Sequence, residues 1–496
     1  MSRSPSAASS SLADWIRTRG GVVHEALDLC AECADRGRGV IALRAIAQGE
    51  PLLRIPRDCA LTARAKASTV RVEEKLPDTA AFRALSPYIR SAVALLRERL
   101  RGDASEWAPV LASFPETFDL ARSWSESELA ELEGTSTSEL MRLGGSAAGK
   151  GGAVEIVWRA DIAPLLALPE HREEWPGADL ASFRWACDCT TSRGFDDEFT
   201  GEGGYGSNFR VISSSFWFEG PYLLPAVDML NHDPVSPCTT LTVDDEGSFT
   251  MTAERAIAKG EEVCHRYQDL PDTRLLMTYG FTLGELGGDT NEIPAAPRIT
   301  LDALIEECEK LASSEGAFPW DNAMEGWERK LALVRSLLPG DNPAMAVTAA
   351  DPLPATLRTA ALILLAPPIA LPEFEGARAA NAGRVPLLDS FALGDPDVAH
   401  PFVHAIHQCV DAKLALFPSG VREDAMRLDA GETDDPRGRR RMAVLMRFEE
   451  QQVLWLTKKK AVTLVAAELA AARAEEEEEE EEEEPPLKRV KAAAEE

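Results

Sequence analysis

Two nine-residue phrases constrain this chain more than anything else in it. Ala42–Glu50 reads A-L-R-A-I-A-Q-G-E and Ala253–Glu261 reads A-E-R-A-I-A-K-G-E, identical at seven of nine positions. They stand about two hundred residues apart, which is not the short fixed period of a solenoid. Around the first copy, Arg36–Pro56 alternates apolar residues, turns at Gln48-Gly49-Glu50 and resumes as far as Ile55, the pattern of strand, turn and strand. Gly37 and Gly39 lack the Cβ that keeps a backbone away from a ligand. The strand-then-helix context of a dinucleotide fingerprint is missing, which argues against a Rossmann site.

The second copy lies inside Pro225–Phe281, where most of the candidate chemistry sits. Asp228, Asn231 and His232 follow Tyr222–Val227, an apolar run suited to a buried strand. A polar cluster at the end of such a strand is held on a rigid base. Val263 and Tyr267 come next, then Tyr279-Gly280-Phe281. Taken alone, Asn-His reads as a capped turn with a satisfied histidine, and only the combination points further.

That combination, D-x-x-N-H followed by Y-G-F, resembles the C-terminal half of a SET domain. Its wording is similar to the RuBisCO large-subunit lysine methyltransferase branch of those enzymes. The resemblance implies an α+β fold: small β-sheets in a pseudoknot-like SET domain, a large helical insert, and an all-α C-terminal domain. The echoing phrases are similar to the paired hairpins of the two SET halves, which puts Arg36–Pro56 and Pro225–Tyr267 into one discontinuous domain. The boundaries read as a disordered 1–11, a SET domain over 12–285 (12–61, insert 62–190, 191–285), a helical substrate-binding-like domain over 293–474, and a tail over 475–496.

The resemblance also implies roles. Arg38, Gly39, Val40, Arg193, Asn231, His232 and Tyr267 would hold S-adenosylmethionine, and Tyr267 would be catalytic. Phe195, Asp228, Tyr279 and Phe281 would line the substrate side. Arg193 carries its role through S-R-x-F at Ser192–Phe195, although a basic residue closing a helix also serves as a dipole partner. The chain departs from the branch in a glycine-rich, acidic stretch at Asp196–Asn208, and in Asp197 where a second arginine is usual.

Within the insert, Ile89, Val93, Leu96 and Leu100 fall at helical spacing, with Arg97, Glu98 and Arg99 read as outward. Trp107, Phe114 and Trp124 read as core, Ser125 and Glu128 as a capping box, and Gly134 as a helix stop. From Ile293 onward, proline-punctuated helices are expected over Leu301–Ala312, Trp327–Leu338, Thr356–Leu365, Pro401–Phe417 and Arg439–Ala472. His400, His404 and His407 share a helical face, read as surface for want of a fourth ligand.

The formal charge of −30 divides into −9 over Glu475–Glu496 and −21 over the rest. So acidic a chain disfavours phosphate contacts and favours basic protein segments. No run is long and apolar enough for a bilayer. The nine cysteines show neither disulfide nor zinc spacing, so no metal is expected, and the thiols suit cytoplasm or nucleus. The basic cluster Lys488-Arg489-Val490-Lys491 is similar to a nuclear import signal, and a plastid address is disfavoured.

The function implied is S-adenosylmethionine-dependent methylation of an exposed lysine in a protein substrate by a monomer, without nucleic acid or membrane. A histidine acceptor is the first alternative. Val227 and Phe195 stand where a histidine-methylating relative of the branch carries tryptophan and asparagine, which favours lysine. A catalytically lapsed SET-like binding module is the second alternative. A Rossmann-type small-molecule methyltransferase lacks its glycine-rich loop here.

Overall fold

The echoing phrases lie against each other. Ile46 and Ile257 form an antiparallel bridge, each donating its N–H to the other's carbonyl at 3.0 Å. Gly49 donates to the Ala253 carbonyl at 2.9 Å, and its counterpart Gly260 donates to the Ala42 carbonyl at 2.7 Å. Ala42 donates to Glu261 O at 2.9 Å and Ala253 to Glu50 O at 3.0 Å. Glu50 and Glu261 each reach back to accept from a turn N–H, that of Ala47 at 3.0 Å and of Ala258 at 2.7 Å. Each bond made by one copy is returned by the other, so the pair has a local two-fold. The repeated letters are those the reciprocal pairing uses, and both turn glycines sit at φ +85° where a side chain is strained.

The computed structural model describes residues 7–33, 36–63, 76–142, 153–195, 210–211, 221–244, 247–267, 270–283, 295–314, 324–338, 344–380, 393, 395–431 and 438–483. The glycine-rich stretch Asp196–Asn208 and the basic cluster Lys488–Lys491 lie outside them. The chain divides into two units, one of residues 1–125 with 139–282 and the other of residues 126–138 with 283–496.

The first unit is built on short strands: β1 (Val22–Val23), β2 (Leu27–Cys33), β3 (Gly37–Ala42), β4 (Pro51–Ile55), β5 (Gly194–Phe195), β6 (Arg210–Val211), β7 (Tyr222–Leu223), β8 (Thr239–Val243) and β9 (Phe249–Ala253). The main sheet runs β1-β4-β9-β8-β6, with β6 parallel to β8 and the other neighbours antiparallel. β4 comes from the first half of the domain and β9 from the second, with Leu53 opposite Met251 and Ile55 opposite Phe249, all four buried. Alternation along β8 and β9 turns every second residue into this core. β2 pairs with β3, and β5 with β7.

Two features of this unit depart from the sequence reading. The first helix spans Ala7–Thr18 and so begins inside the stretch 1–11 read as disordered, with Ser9 buried and its hydroxyl accepting from Leu29 N at 2.9 Å. In the helix Pro87–Arg101, Arg97 and Glu98 are buried rather than outward. Arg97 donates to Glu98 at 2.6 Å and to Glu174, and Glu98 accepts from Ser105 Oγ at 2.6 Å, so the charges enter the interior already paired. Trp107, Phe114 and Trp124 are buried.

Among its described residues, the second unit is helical apart from a ribbon of β10 (Arg298–Thr300) and β11 (Ala344–Ala346). Its helices include Glu126–Ala130, Leu301–Ala312, Trp327–Leu337, Ala355–Leu365, Leu371–Ala380, Pro396–Leu414, Val421–Asp429 and Arg439–Glu483. Ala355–Leu365 is its centre, with Leu357, Ile363 and Leu365 inaccessible to solvent. The helix expected to start at Pro401 starts at Pro396, capped by Asp395 onto Asp397 N, and carries Pro401 inside it. The last helix runs past Ala472 into the glutamate run.

Candidate active site

Three strand pairings converge on the chain between Ala226 and His232. β5 against β7 sets Gly194 opposite Leu223 and so carries Arg193, the last residue of the helix Leu180–Arg193, to the turn Val227–Met229. Arg193 Nη1 donates to both the carbonyl and the carboxylate of Asp228, each at 2.9 Å. Its guanidinium also lies 5.7 Å from the ring centre of Phe114. The turn is entered through Ala226 at φ +70°, the one non-glycine residue at positive φ among those described. Strain of this kind persists only where surrounding bonds impose it, and the double contact from Arg193 does so.

β3 supplies the second convergence. Val263 N donates to Val40 O at 2.7 Å, which lays 261–263 along β3. Asn231 Nδ2 then reaches the Arg38 carbonyl at 3.2 Å and Glu262 Oε1 at 2.7 Å. Gly39 is where the two segments touch: a Cβ there would stand 2.7 Å from both Asn231 Nδ2 and Glu262 Oε1. Arg38 contributes charge to this corner, where burial raises the Asp228 carboxyl and Arg193, then Arg38, oppose the rise.

The third convergence places 231–233 beside 265–267. Asp233 N donates to His265 O at 3.0 Å and His265 N to Asn231 O at 2.9 Å. Tyr267 N donates to His232 Nδ1 at 3.0 Å, which fixes the proton of the neutral ring on Nε2. Tyr267 Oη donates to Leu230 O at 2.8 Å. The rings form one cluster, with Tyr267 4.7 Å from Tyr279, 5.1 Å from His232 and 6.5 Å from Phe281. Tyr279 ends a helix (Asp272–Tyr279) closed by Gly280 at φ +85°, and the reversal swings Phe281 back to within 6.1 Å of His232.

Burial sets the protonation states. Desolvation lowers His232 to about 4, with His265 adding to it, so the ring is neutral. Burial pushes the Tyr267 and Tyr279 phenols well above their ordinary range, and they stay protonated. Burial also raises Asp228, against the pull of Arg193. Three buried atoms here have no hydrogen-bond partner among the described residues: Asp228 Oδ1, Arg193 Nε and His232 Nε2. Such atoms are rare inside proteins, and each calls for a partner such as a water, an ion or a ligand.

Of the residues singled out in the sequence, Arg38, Gly39, Val40, Asn231, His232, Tyr267, Tyr279 and Phe281 join this region, and Arg193 and Asp228 are paired beside it. Phe195 is buried in β5 opposite Tyr222, outside the ring cluster. Sequence reasoning passed over Glu262, Arg36 and Ala226. Arg36 donates to His232 O at 3.4 Å and stands 3.8 Å from Glu262. Glu262 was visible only as the residue before Val263 in a strand pairing with the first hairpin.

Residues 37–268 match the SET domain family. The chain carries a SET domain. Its discontinuous halves are the two segments that the echoing phrases join. Ribosomal lysine N-methyltransferase 4 of Saccharomyces cerevisiae is 27% identical over 281 residues, 54% of this chain and 54% of that protein. Ribosomal lysine N-methyltransferase set10 of Schizosaccharomyces pombe is 27% identical over 218 residues, 43% of this chain and 35% of that protein. The chain therefore spans about half or less of the length of these curated relatives. Among solved structures, the SET domain of LSMT bound to methyllysine and AdoHcy aligns with TM-score 0.65 and 20% identity, over 93% of this chain and 94% of that one. Rubisco LSMT bound to AdoMet aligns with TM-score 0.63 and 18% identity, over 93% of each. The fold is thus the one seen in Rubisco LSMT, helical C-terminal region included.

Proposed function

We propose that this protein methylates a lysine side chain of a protein substrate, with S-adenosylmethionine as donor. The observation that carries the reading is the cluster of Asn231, His232 and Tyr267 tied onto β3, with Tyr279 and Phe281 stacked against it. The unpartnered His232 Nε2 and Arg193 Nε, and the glycine contact at Gly39, fit a polar cofactor lying along this seam. Arg38, Gly39, Val40, Arg193, Asn231, His232 and Tyr267 would hold it, and Asp228, Tyr279 and Phe281 would face the substrate. When bound, the cofactor supplies an electrophilic methyl group on a sulfonium.

The residues themselves position, desolvate and hold protons. Tyr267 Oη spends its proton on Leu230 O, which leaves the oxygen's lone pairs free to accept from an incoming amine N–H. The aromatic walls exclude water, and burial beside a cationic centre favours the neutral amine that the displacement needs. Alignment of the amine then contributes several kcal/mol of the barrier, roughly what near-attack positioning supplies. With the phenols and His232 neutral, no strong base stands at the rings, so the scheme relies on loss of the amine's proton before transfer.

The lysine names of the curated relatives favour lysine over histidine as acceptor. The acidic balance of −30 goes with a basic protein substrate, and we place its site of action in the cytoplasm or nucleus. The test uses the purified full chain, labelled S-adenosylmethionine and a cell extract. Label on lysine in a protein band is expected, and Tyr267→Phe should lower turnover by about 10²–10³ with cofactor affinity nearly unchanged. Failure of the wild-type chain to bind the cofactor in a titration would favour the lapsed binding module. Undiminished turnover in Tyr267→Phe would remove Tyr267 from its catalytic role.

A further inference from the structure

Two charged side chains outside the proposed binding set grip the Asn231–His232 pair. Asn231 sends both hydrogens of Nδ2 to protein acceptors, the Arg38 carbonyl at 3.2 Å and Glu262 Oε1 at 2.7 Å. The two ends of an amide are alike in shape and differ only in their bonding. Turning this amide over would set its oxygen against a carbonyl and a carboxylate, neither of which has a hydrogen to give. The bonding therefore fixes which way round Asn231 stands, and keeps Oδ1, its acceptor end, out of both contacts.

The carboxylate at 262 is not there to join the echoing phrases. Those phrases end at Glu50 and Glu261, and the next residue is Pro51 after one copy and Glu262 after the other. Their reciprocal bonds use backbone groups and the carboxylates of Glu50 and Glu261, so the pairing does not call on the Glu262 side chain. The backbone of Glu262 bridges to Ile41 on β3, which brings its side chain to the Gly39 corner. Its charge is met by Arg36, whose Nη1 lies 3.8 Å from Glu262 Oε2 and 3.4 Å from the His232 carbonyl. One ion pair thus touches both Asn231 and His232. Burial, then the Glu262 charge, pushes the neighbouring Cys33 thiol up to about 12, so no second anion forms beside the carboxylate.

We infer that Glu262 is a positioning residue for cofactor binding, locking the Asn231 amide in the orientation that offers Oδ1 to S-adenosylmethionine, with Arg36 as its counter-charge. Glu262 acts through Asn231 and contributes no contact of its own to the cofactor. The inference rests on the cofactor reading proposed above, and its test separates the two. S-adenosylmethionine is titrated calorimetrically into the full wild-type chain, Glu262→Gln, Glu262→Leu, Asn231→Ala and the double variant Asn231→Ala with Glu262→Leu. Melting curves without cofactor record any loss of stability separately.

Glu262→Leu offers Asn231 no acceptor and should weaken binding at least about tenfold. Glu262→Gln keeps an acceptor oxygen at the same reach and should stay within about threefold of wild type. In the Asn231→Ala background there is no amide to orient, so adding Glu262→Leu should cost less than about a further twofold. In turnover, Glu262→Leu should raise the KM for S-adenosylmethionine and leave kcat within about twofold of wild type. Wild-type affinity in Glu262→Leu would overturn the inference, as would an equal loss from Glu262→Leu with and without the Asn231 amide. Glutamine as harmful as leucine would overturn it too, since charge and not an acceptor would then be what matters. A wild-type chain that binds no S-adenosylmethionine would remove the cofactor reading itself, and this inference with it.

Discussion

His232 shows how much one side chain is asked to do in this fold. Its Nδ1 holds the backbone of Tyr267, its Nε2 is buried without a partner, and its ring stacks on Tyr267 at 5.1 Å. A ring so placed must stay neutral, and burial lowers it from an ordinary 6.5 to about 4. The unfolded chain takes up the proton first as pH falls, so stability present above 6.5 is lost as pH drops toward 4. The loss should come to about 3 kcal/mol, and urea titrations of the full chain across this range should detect it. His232→Asn should start less stable and show a flatter acid limb; an equally steep limb would assign the protons to other groups. The chemistry of Asn231, His232 and Tyr267 was legible in the sequence because these residue types carry it wherever the backbone takes them. Glu262 and Ala226 were not legible, because a carboxylate receiving Asn231 and an alanine at φ +70° acquire meaning only from the strands around them.

Among the elements, β3 carries the most consequence per residue. It pairs with β2 on one side and receives 261–263 on the other, and Gly39 is the point of closest approach. Gly39→Ala should push Asn231 off the Arg38 carbonyl and cost about 1–3 kcal/mol, the usual range for overpacking. It should also reduce S-adenosylmethionine affinity in a calorimetric titration more than Gly37→Ala, which meets open space and carries only the backbone strain of its φ of +71°. Equal effects of the two substitutions would show that the contact at Gly39 is not the constraint. The echo of Ala42–Glu50 in Ala253–Glu261 announced strand, turn and strand but not hairpins, since β3 pairs with β2 while β4 pairs with β1 and β9. That the copies bond to each other could not be read from them, because reciprocal pairing is a property of tertiary approach. Arg97 and Glu98 failed for a related reason. Periodicity marks a charge as outward, and only Glu174, remote in sequence, and Ser105, past the helix end, satisfy the pair once it is buried.

At the scale of the molecule, the chain enters its helical unit twice. Residues 126–138 leave the SET-bearing unit and belong to the helical one. Arg447, inaccessible to solvent, explains why they are held there. It donates to Asp424, to Ser419 Oγ at 3.0 Å, and to the carbonyl and carboxylate of Glu131. Glu131 also meets Arg427 at 2.9 Å, and Ser136 N donates to Glu450 at 3.1 Å. Hydrogen bonds from Arg427, then Arg447, hold the Glu131 carboxyl down to about 2. Asp424 and Arg447 are fully buried while Glu131 is partly exposed, so the two ends of the network differ in what their loss exposes. Arg447→Met strands a buried carboxylate and should cost about 3–5 kcal/mol. Glu131→Gln leaves Arg447 its pair with Asp424 and should cost less, about 1.5–3 kcal/mol, the worth of hydrogen bonds to charged groups. The second variant should also lose the part of the acid limb that Glu131 contributes, which is present above its ordinary 4.5 and disappears as pH falls toward 2. Urea denaturation of both full-length variants checks the order. If Glu131→Gln proved the more damaging, the weight of the network would lie in tethering 126–138 and not in neutralising Asp424.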